Sequence, residues 1–254
     1  MATLRPSFPR ACWRWWAPAR PGGAAPFSPP NRSGSWPTSW KSGWVSPRRA
    51  RMREPVAALV LAGGRSRRLG QDKALLELWP GVPLLARVVR TVSRLCPEVV
   101  VVVDAPERYA HLGLPVRWAV DALPGQGPLA ALVGGLETVA ASHALTVACD
   151  LPFLCPPLLA HMLDLPRDYE ALVPRWRGRW QPLHAVYARS CLPVARRLLA
   201  AGERNLHALL SYLRVRPLPP REIRPYDPLG LSFFDIDTPH RLRRARELAA
   251  RTEP

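Results

Sequence analysis

Leu59-Val60-Leu61-Ala62-Gly63-Gly64-Arg65-Ser66-Arg67-Arg68-Leu69-Gly70-Gln71-Asp72-Lys73 decides how this chain folds and what it handles. The apolar run Val56 to Leu61 predicts a buried strand. It stops at Gly63-Gly64, where the backbone can turn tightly and approach a ligand. Three arginines, Gly70 and Lys73 follow. A strand feeding a glycine-rich, cationic loop suits phosphate: backbone N–H groups cradle the oxygens and the side chains neutralise charge. The loop lacks the Gly-Lys-Ser/Thr ending of a P-loop, and it fails the spacing of a dinucleotide fingerprint.

Downstream, apolar runs of strand and helix period alternate. Pro83 to Leu95 has helical spacing with arginines on the other face. Glu98 to Asp104 is a valine run suited to a parallel sheet covered on both faces. Val116 to Asp121 and Ala144 to Asp150 are further strands, and Gly127 to Ala141 and Pro157 to Leu165 are helices. Tyr169 to Arg175 and Trp180 to Arg189 predict two strands around a turn at Arg177-Gly178. Leu192 to Ala201 and Asn205 to Leu213 read as helices, Ser232 to Ile236 as a late strand, and His240 to Arg251 as a basic helix. The alternation predicts an α/β fold with a mostly parallel sheet.

Several apolar runs end in aspartate: Asp104, Asp121, Asp150, and the pair Asp235 and Asp237. Ligands of open α/β sheets bind outside the carboxyl ends of the strands, so these aspartates are expected to converge beside the glycine loop. Carboxylates facing a cationic loop suit Mg²⁺, which takes one or two carboxylates plus substrate phosphate oxygens. Positioning and electrostatics carry most of such a phosphoryl-type transfer.

Charge and cysteine usage narrow the classes. The net charge of +17 would suit nucleic acid, but residues 1–51 hold nine of the 36 Lys and Arg and none of the 19 Asp and Glu. Residues 52–254 carry 27 − 19 = +8, a moderate excess for attracting polyanionic substrates, and nucleic acid is not expected as a partner. Residues 1–51 also hold six of the ten tryptophans without hydrophobic periodicity. They are read as a disordered or mis-assigned extension, with Met52 as the true start and 52–254 as one domain. None of the five cysteines (12, 96, 149, 155 and 191) forms a C-x-x-C pair, so buried free thiols in a reducing, cytoplasmic compartment are expected. No apolar stretch is long enough to span a membrane.

The loop resembles the signature L-A-G-G-x-S-x-R-[ML]-G-x-D-K of Rossmann-like nucleotidyltransferases, and within them the molybdenum cofactor guanylyltransferases. The resemblance extends in order through Asp121 to Leu132 (D-A-L-P-G-Q-G-P-L-A-A-L), Cys149-Asp150-Leu151-Pro152, Gln181 to Tyr187 (Q-P-L-H-A-V-Y) and Phe234 to Pro239 (F-D-I-D-T-P). It implies a three-layer Rossmann-like nucleotidyltransferase fold and transfer of GMP from Mg·GTP to the phosphate of Mo-molybdopterin, releasing pyrophosphate. It implies that Leu61, Ala62 and Gly63 contact the nucleotide, that Arg68 and Lys73 bind its phosphates, and that Asp121 lies in the guanine site. Asp150 would be the Mg²⁺ ligand. Asp104 stands near the base where the family often has asparagine. Asp237 would be a second metal ligand or a helix cap. Arg175, Gln181 and His184 would face the second substrate, although a histidine on an alternating strand is more simply a satisfied core residue. Cytidylyl transfer to the same cofactor is the nearest alternative, since the D-I-D-T-P ending is common there. A non-catalytic protein delivering the cofactor to molybdoenzyme apoproteins or to delivery chaperones is the alternative of another class.

Overall fold

The computed structural model describes residues 54–63, 70–121, 125 and 127–251; the expectations for residues 1–51, Gly64 and Arg68 lie outside them. β1 (Ala57–Leu61) and β4 (Val99–Val103) consist of apolar residues that are buried throughout. Such strands hold their place only with helices on both faces. β1 lies between β4 and β6 (His143–Ala148), parallel to both, with Leu59 opposite Val100 and Thr146. With β5 (Arg117–Val120), β7 (Ala171–Trp176), β9 (His184–Ala188) and β10 (Val215–Leu218), the order is β10-β7-β9-β6-β1-β4-β5, and a short β8 (Arg179–Trp180) pairs with β7. β9 runs antiparallel to both neighbours, and every other adjacent pair along that order is parallel.

Period-two alternation divides β1 between two cores. Ala58 and Val60 meet the helices Leu84–Val92 and Pro156–Asp164, through Leu85, Val88, Val89, Leu158 and Met162 among others. Ala57, Leu59 and Leu61 meet the helices Pro128–Thr138 and Leu192–Ala200. The result is the expected three-layer fold. Helix Leu84–Val92 is set by its apolar stripe at 84, 85, 88, 89 and 92, one helix face. Helix Pro128–Thr138 begins with a proline, whose missing N–H costs nothing there. It packs so close that a Cβ on Gly135 would lie 3.0 Å from Leu59 and 3.1 Å from Val102.

A third cluster sits to one side. Helix Pro239–Ala250, capped by Thr238 accepting from the Arg241 amide at 3.2 Å, buries Leu242, Ala245 and Leu248 against Trp79, Leu84, Phe153 and Ile236. It carries residues 234–238 to the site, where the Ile236 amide donates to the Asp150 carbonyl at 3.1 Å.

Residues 232–236 are not the expected strand. Leu231–Phe233 is a single 3₁₀ turn, followed by extended chain. The Asp227 carboxylate accepts from the amides of Leu231 at 3.0 Å and Ser232 at 2.8 Å, fixing a turn, and the apolar side chains serve different neighbours: Phe233 packs on His184, Phe234 on Phe153. Some elements carried no clear sequence signal. β10 contains Pro217, tolerable because the strand is at the sheet edge. β2 (Glu77–Trp79) and β3 (Val82–Pro83) form a small antiparallel pair around Pro80-Gly81.

Candidate active site

Parallel strands bring the ends of β1, β4, β5 and β6 to one edge, and backbone hydrogen bonds tie them there. The Ala62 amide donates to Val102 at 2.9 Å, Cys149 to Leu61 at 3.0 Å, and Asp121 to Val103 at 2.7 Å. Leu61 and Ala62 are buried at this edge and Gly63 is exposed. Asp121 is only 5% exposed, and its Oδ2 lies 3.7 Å from where a side chain on Gly63 would begin. The chain entering the glycine- and arginine-rich segment therefore passes directly beside the Asp121 carboxylate.

Lys73, on the far side of that segment, meets the carboxylate that ends β6. Its Nζ donates to Asp150 Oδ2 at 2.8 Å, with both side chains about four-fifths covered (22% and 18% exposed). The chain just after Asp150 is anchored as well. The Arg87 Nε donates to the Pro152 carbonyl at 3.0 Å while its guanidinium lies 3.5 Å over the Trp79 ring. Burial, aggravated by Arg90 and Arg94, lowers the Arg87 pKa to about 10. Burial raises the Asp150 pKa, the Lys73 ammonium pulls it back, and the Asp235 carboxylate raises it further.

Asp235, singled out at first only as a strand-end aspartate, thus lies near enough for its charge to act on Asp150. Arg241 clamps the turn that carries it, pairing with the Asp235 carboxylate and donating from Nε to the Asp235 carbonyl at 2.7 Å. Asp237 meets Arg241 at 3.5 Å, and the helix cap is Thr238. Of the two roles foreseen for Asp237, the helix cap falls to Thr238, the next residue. Two carboxylates repelling each other across a partly desolvated edge, with one lysine between loop and strand, form a hard-oxygen donor set that fits a divalent cation completed by substrate phosphates. Among the described residues, no group of three or more acidic, histidine or cysteine side chains is arranged as a self-sufficient metal cage.

Asp104 ends β4 and pairs with Arg108 at 3.6 Å. The anion at this position therefore has a cation partner. Arg108 also meets Asp72 Oδ2 at 2.7 Å, and the Tyr109 hydroxyl donates to the same oxygen at 2.8 Å. Neither Asp72 nor Arg108 was singled out from the sequence. Asp72 could have been, as a cap residue immediately before the helical turn that opens with Lys73.

The second-substrate residues divide. Arg175 and Gln181 flank the β7–β8 hairpin, which projects beyond the same edge because β7 runs parallel to β6 through the antiparallel β9. Its turn has Arg177 at φ 47° and Gly178 at φ 78°, as the Arg-Gly pair predicted. Arg175 lies 5.6 Å over the Trp180 ring, and the Gln181 amide donates to the Pro174 carbonyl at 2.9 Å. His184 does not face a substrate. It is 1% exposed, its Nε2 lies 2.8 Å from Ser232 Oγ, and burial lowers its pKa to about 4. It serves the packing of residues 230–236 against β9.

Residues 58–216 match the family described as the MobA-like NTP transferase domain. The chain belongs to this family. It is a nucleotidyltransferase. It is 38% identical over 193 residues to a probable molybdenum cofactor guanylyltransferase of Chloroflexus aggregans, covering 74% of this chain and 92% of that one. A relative of the same name in Synechococcus elongatus is 41% identical over 170 residues, covering 64% and 87%. Among solved structures, molybdopterin-guanine dinucleotide biosynthesis protein A from Archaeoglobus fulgidus superposes with a TM-score of 0.68 at 28% identity, covering 77% of this chain and all of that one. The 2-C-methyl-D-erythritol 4-phosphate cytidylyltransferase of Thermus thermophilus shares the fold, with a TM-score of 0.56 at 19% identity over 78% of this chain and all of that one. The same fold thus carries different bases and acceptors. No helix among the described residues is long and apolar enough to cross a membrane.

Proposed function

We propose that this nucleotidyltransferase moves GMP from GTP to the phosphate of Mo-molybdopterin, yielding a molybdopterin guanine dinucleotide and pyrophosphate. The observation that carries the assignment is the 2.8 Å pair between Lys73 and Asp150, which sets a cation from the phosphate loop against a carboxylate at the strand ends. The guanylyltransferase relatives give the base and the acceptor. The acceptor phosphate is already an anionic nucleophile, so no protein base is needed. Its oxygen bonds to the α-phosphorus of GTP as the bond to the bridging oxygen of pyrophosphate breaks.

Lys73 offsets the charge that spreads over the transferring and leaving oxygens, with Arg68 as a second cation. Asp150, with Asp235 nearby, would hold Mg²⁺, which when bound would supply Lewis-acid neutralisation of the phosphate oxygens. Leu61, Ala62 and Gly63 present backbone to the nucleotide, and Asp121 and Asp104 line the base side. Arg175 and Gln181 on the projecting hairpin receive the acceptor. Residues 52–254 act as one domain. The four buried free thiols at 96, 149, 155 and 191 suit a reducing cytoplasm.

One feature favours a second reading. Asp235-Ile236-Asp237-Thr238-Pro239 is the ending associated with cytidylyl transfer. The test supplies purified protein with Mg²⁺ and Mo-molybdopterin, and GTP, CTP or ATP separately, and identifies the nucleotide released from the product by mild acid. GMP alone is expected. CMP alone would reassign the base, and no transfer with any nucleotide from folded protein would overturn the proposal.

A further inference from the structure

The Asp72 carboxylate is occupied on both oxygens. Oδ1 accepts from the Ala74 amide at 3.0 Å, which fixes the turn starting at Lys73. Oδ2 accepts from Arg108 at 2.7 Å and from the Tyr109 hydroxyl at 2.8 Å. Both donors come from the segment that follows β4, thirty-six and thirty-seven residues away. Tyr109 is buried and stacked 6.1 Å from Trp118, so its hydroxyl is a fixed point rather than a mobile surface group. Burial and the bond to Asp72 both push that hydroxyl's pKa up, which keeps it protonated and donating. Arg108 then spans two carboxylates, Asp72 on the phosphate-loop side and Asp104 at 3.6 Å on the strand-end side. Lys73 is the next residue after Asp72, and its Nζ must reach Asp150 across the edge.

We propose that Arg108 is a positioning residue for nucleotidyl transfer, acting with Tyr109 through Asp72 to hold Lys73 at the transferring phosphate. The proposal rests on the assignment of Lys73 to phosphate charge given above. Lys73 follows Asp72 directly, so the contacts that fix Asp72 also fix where the Lys73 side chain starts. The guanidinium suits that task because its planar fork can serve two carboxylates at once, which an ammonium cannot do with the same geometry. Arg108 is 48% exposed, so its ion pairs add little to global stability. A role confined to folding would lower the melting temperature on its removal and leave the rate of the folded protein nearly unchanged. A role in placing Lys73 predicts a rate effect without a stability effect.

The test is a double-mutant cycle. Arg108→Ala, Tyr109→Phe, Lys73→Ala and the Arg108→Ala/Lys73→Ala pair are compared in the full chain, using α-phosphate-labelled GTP, Mg²⁺ and Mo-molybdopterin under single-turnover conditions, with melting temperatures alongside. Arg108→Ala is expected to lower the rate of transfer about tenfold or more, because small displacements of a catalytic group are costly. The apparent KM for GTP should change less than the rate. Tyr109→Phe keeps the stacked ring and should show a smaller loss in the same direction. Arg108→Lys should rescue the rate only in part. In the Lys73→Ala background, Arg108→Ala should have no further effect, since residues acting through one group are not additive. An unchanged rate in Arg108→Ala, or a full additional loss on top of Lys73→Ala, would overturn the proposal while leaving the assigned activity standing. A Lys73→Ala variant turning over at the wild-type rate would remove the assignment of Lys73, and the proposal with it.

Discussion

Substituting His184 with glutamine tests whether the segment bearing Asp235 is pinned by a neutral, buried imidazole. In the folded protein His184 resists protonation down to about pH 4, against an ordinary value of 6.5, because burial disfavours its charged form. The unfolded chain takes up that proton near 6.5. Between the two values the unfolded state binds more protons, so stability falls as pH falls through this window and is fully present above it. At 1.36 kcal/mol per pKa unit, the gap amounts to about 3 kcal/mol lost by pH 4. Glutamine can still reach Ser232 but does not titrate here. Urea unfolding of the wild type and His184→Gln at intervals from pH 4 to 7.5 isolates the effect. Carboxylates with raised values, such as Asp150 and Asp227, act with the opposite sign in both proteins and cancel in the difference. The wild type should lose about 3 kcal/mol more than the variant on acidification. Parallel curves would refute a neutral buried His184.

Further outcomes follow from the same geometry. Lys73→Ala and Asp150→Ala should each lower transfer by about 10²-fold or more while remaining folded, as read by turnover beside circular dichroism. Because Asp235 raises the Asp150 pKa and Lys73 lowers it, Asp235→Asn should move the acid limb of Mn²⁺ binding, followed by electron paramagnetic resonance, to lower pH, and Lys73→Ala should move it higher. Gly135→Ala should destabilise by about 1–3 kcal/mol in urea unfolding despite alanine's better helix propensity, since the new methyl meets Leu59 and Val102, both fully buried.

The sequence alone determined the layered α/β architecture, because five buried residues in β1 and five valines in β4 can be satisfied only inside a covered parallel sheet. It also implied that Asp104, Asp121 and Asp150 end their strands at one edge, since a parallel sheet sends every strand's carboxyl end the same way. Local pattern could not decide residues 232–236: an apolar run shorter than a helix looks like a strand until its partners are known. The partners proved to be His184, Phe153 and the Asp227 carboxylate, all distant in sequence. Tertiary structure likewise decided which aspartate's charge acts on Asp150. Asp235 and Asp237 are equivalent in composition, and Arg241, placed by the packing of the last helix, sets the turn that tells them apart. The same holds for His184 and Arg108. Whether a histidine is buried, or an arginine bridges two carboxylates, depends on side chains brought together from across the fold, and no spacing along one segment encodes that.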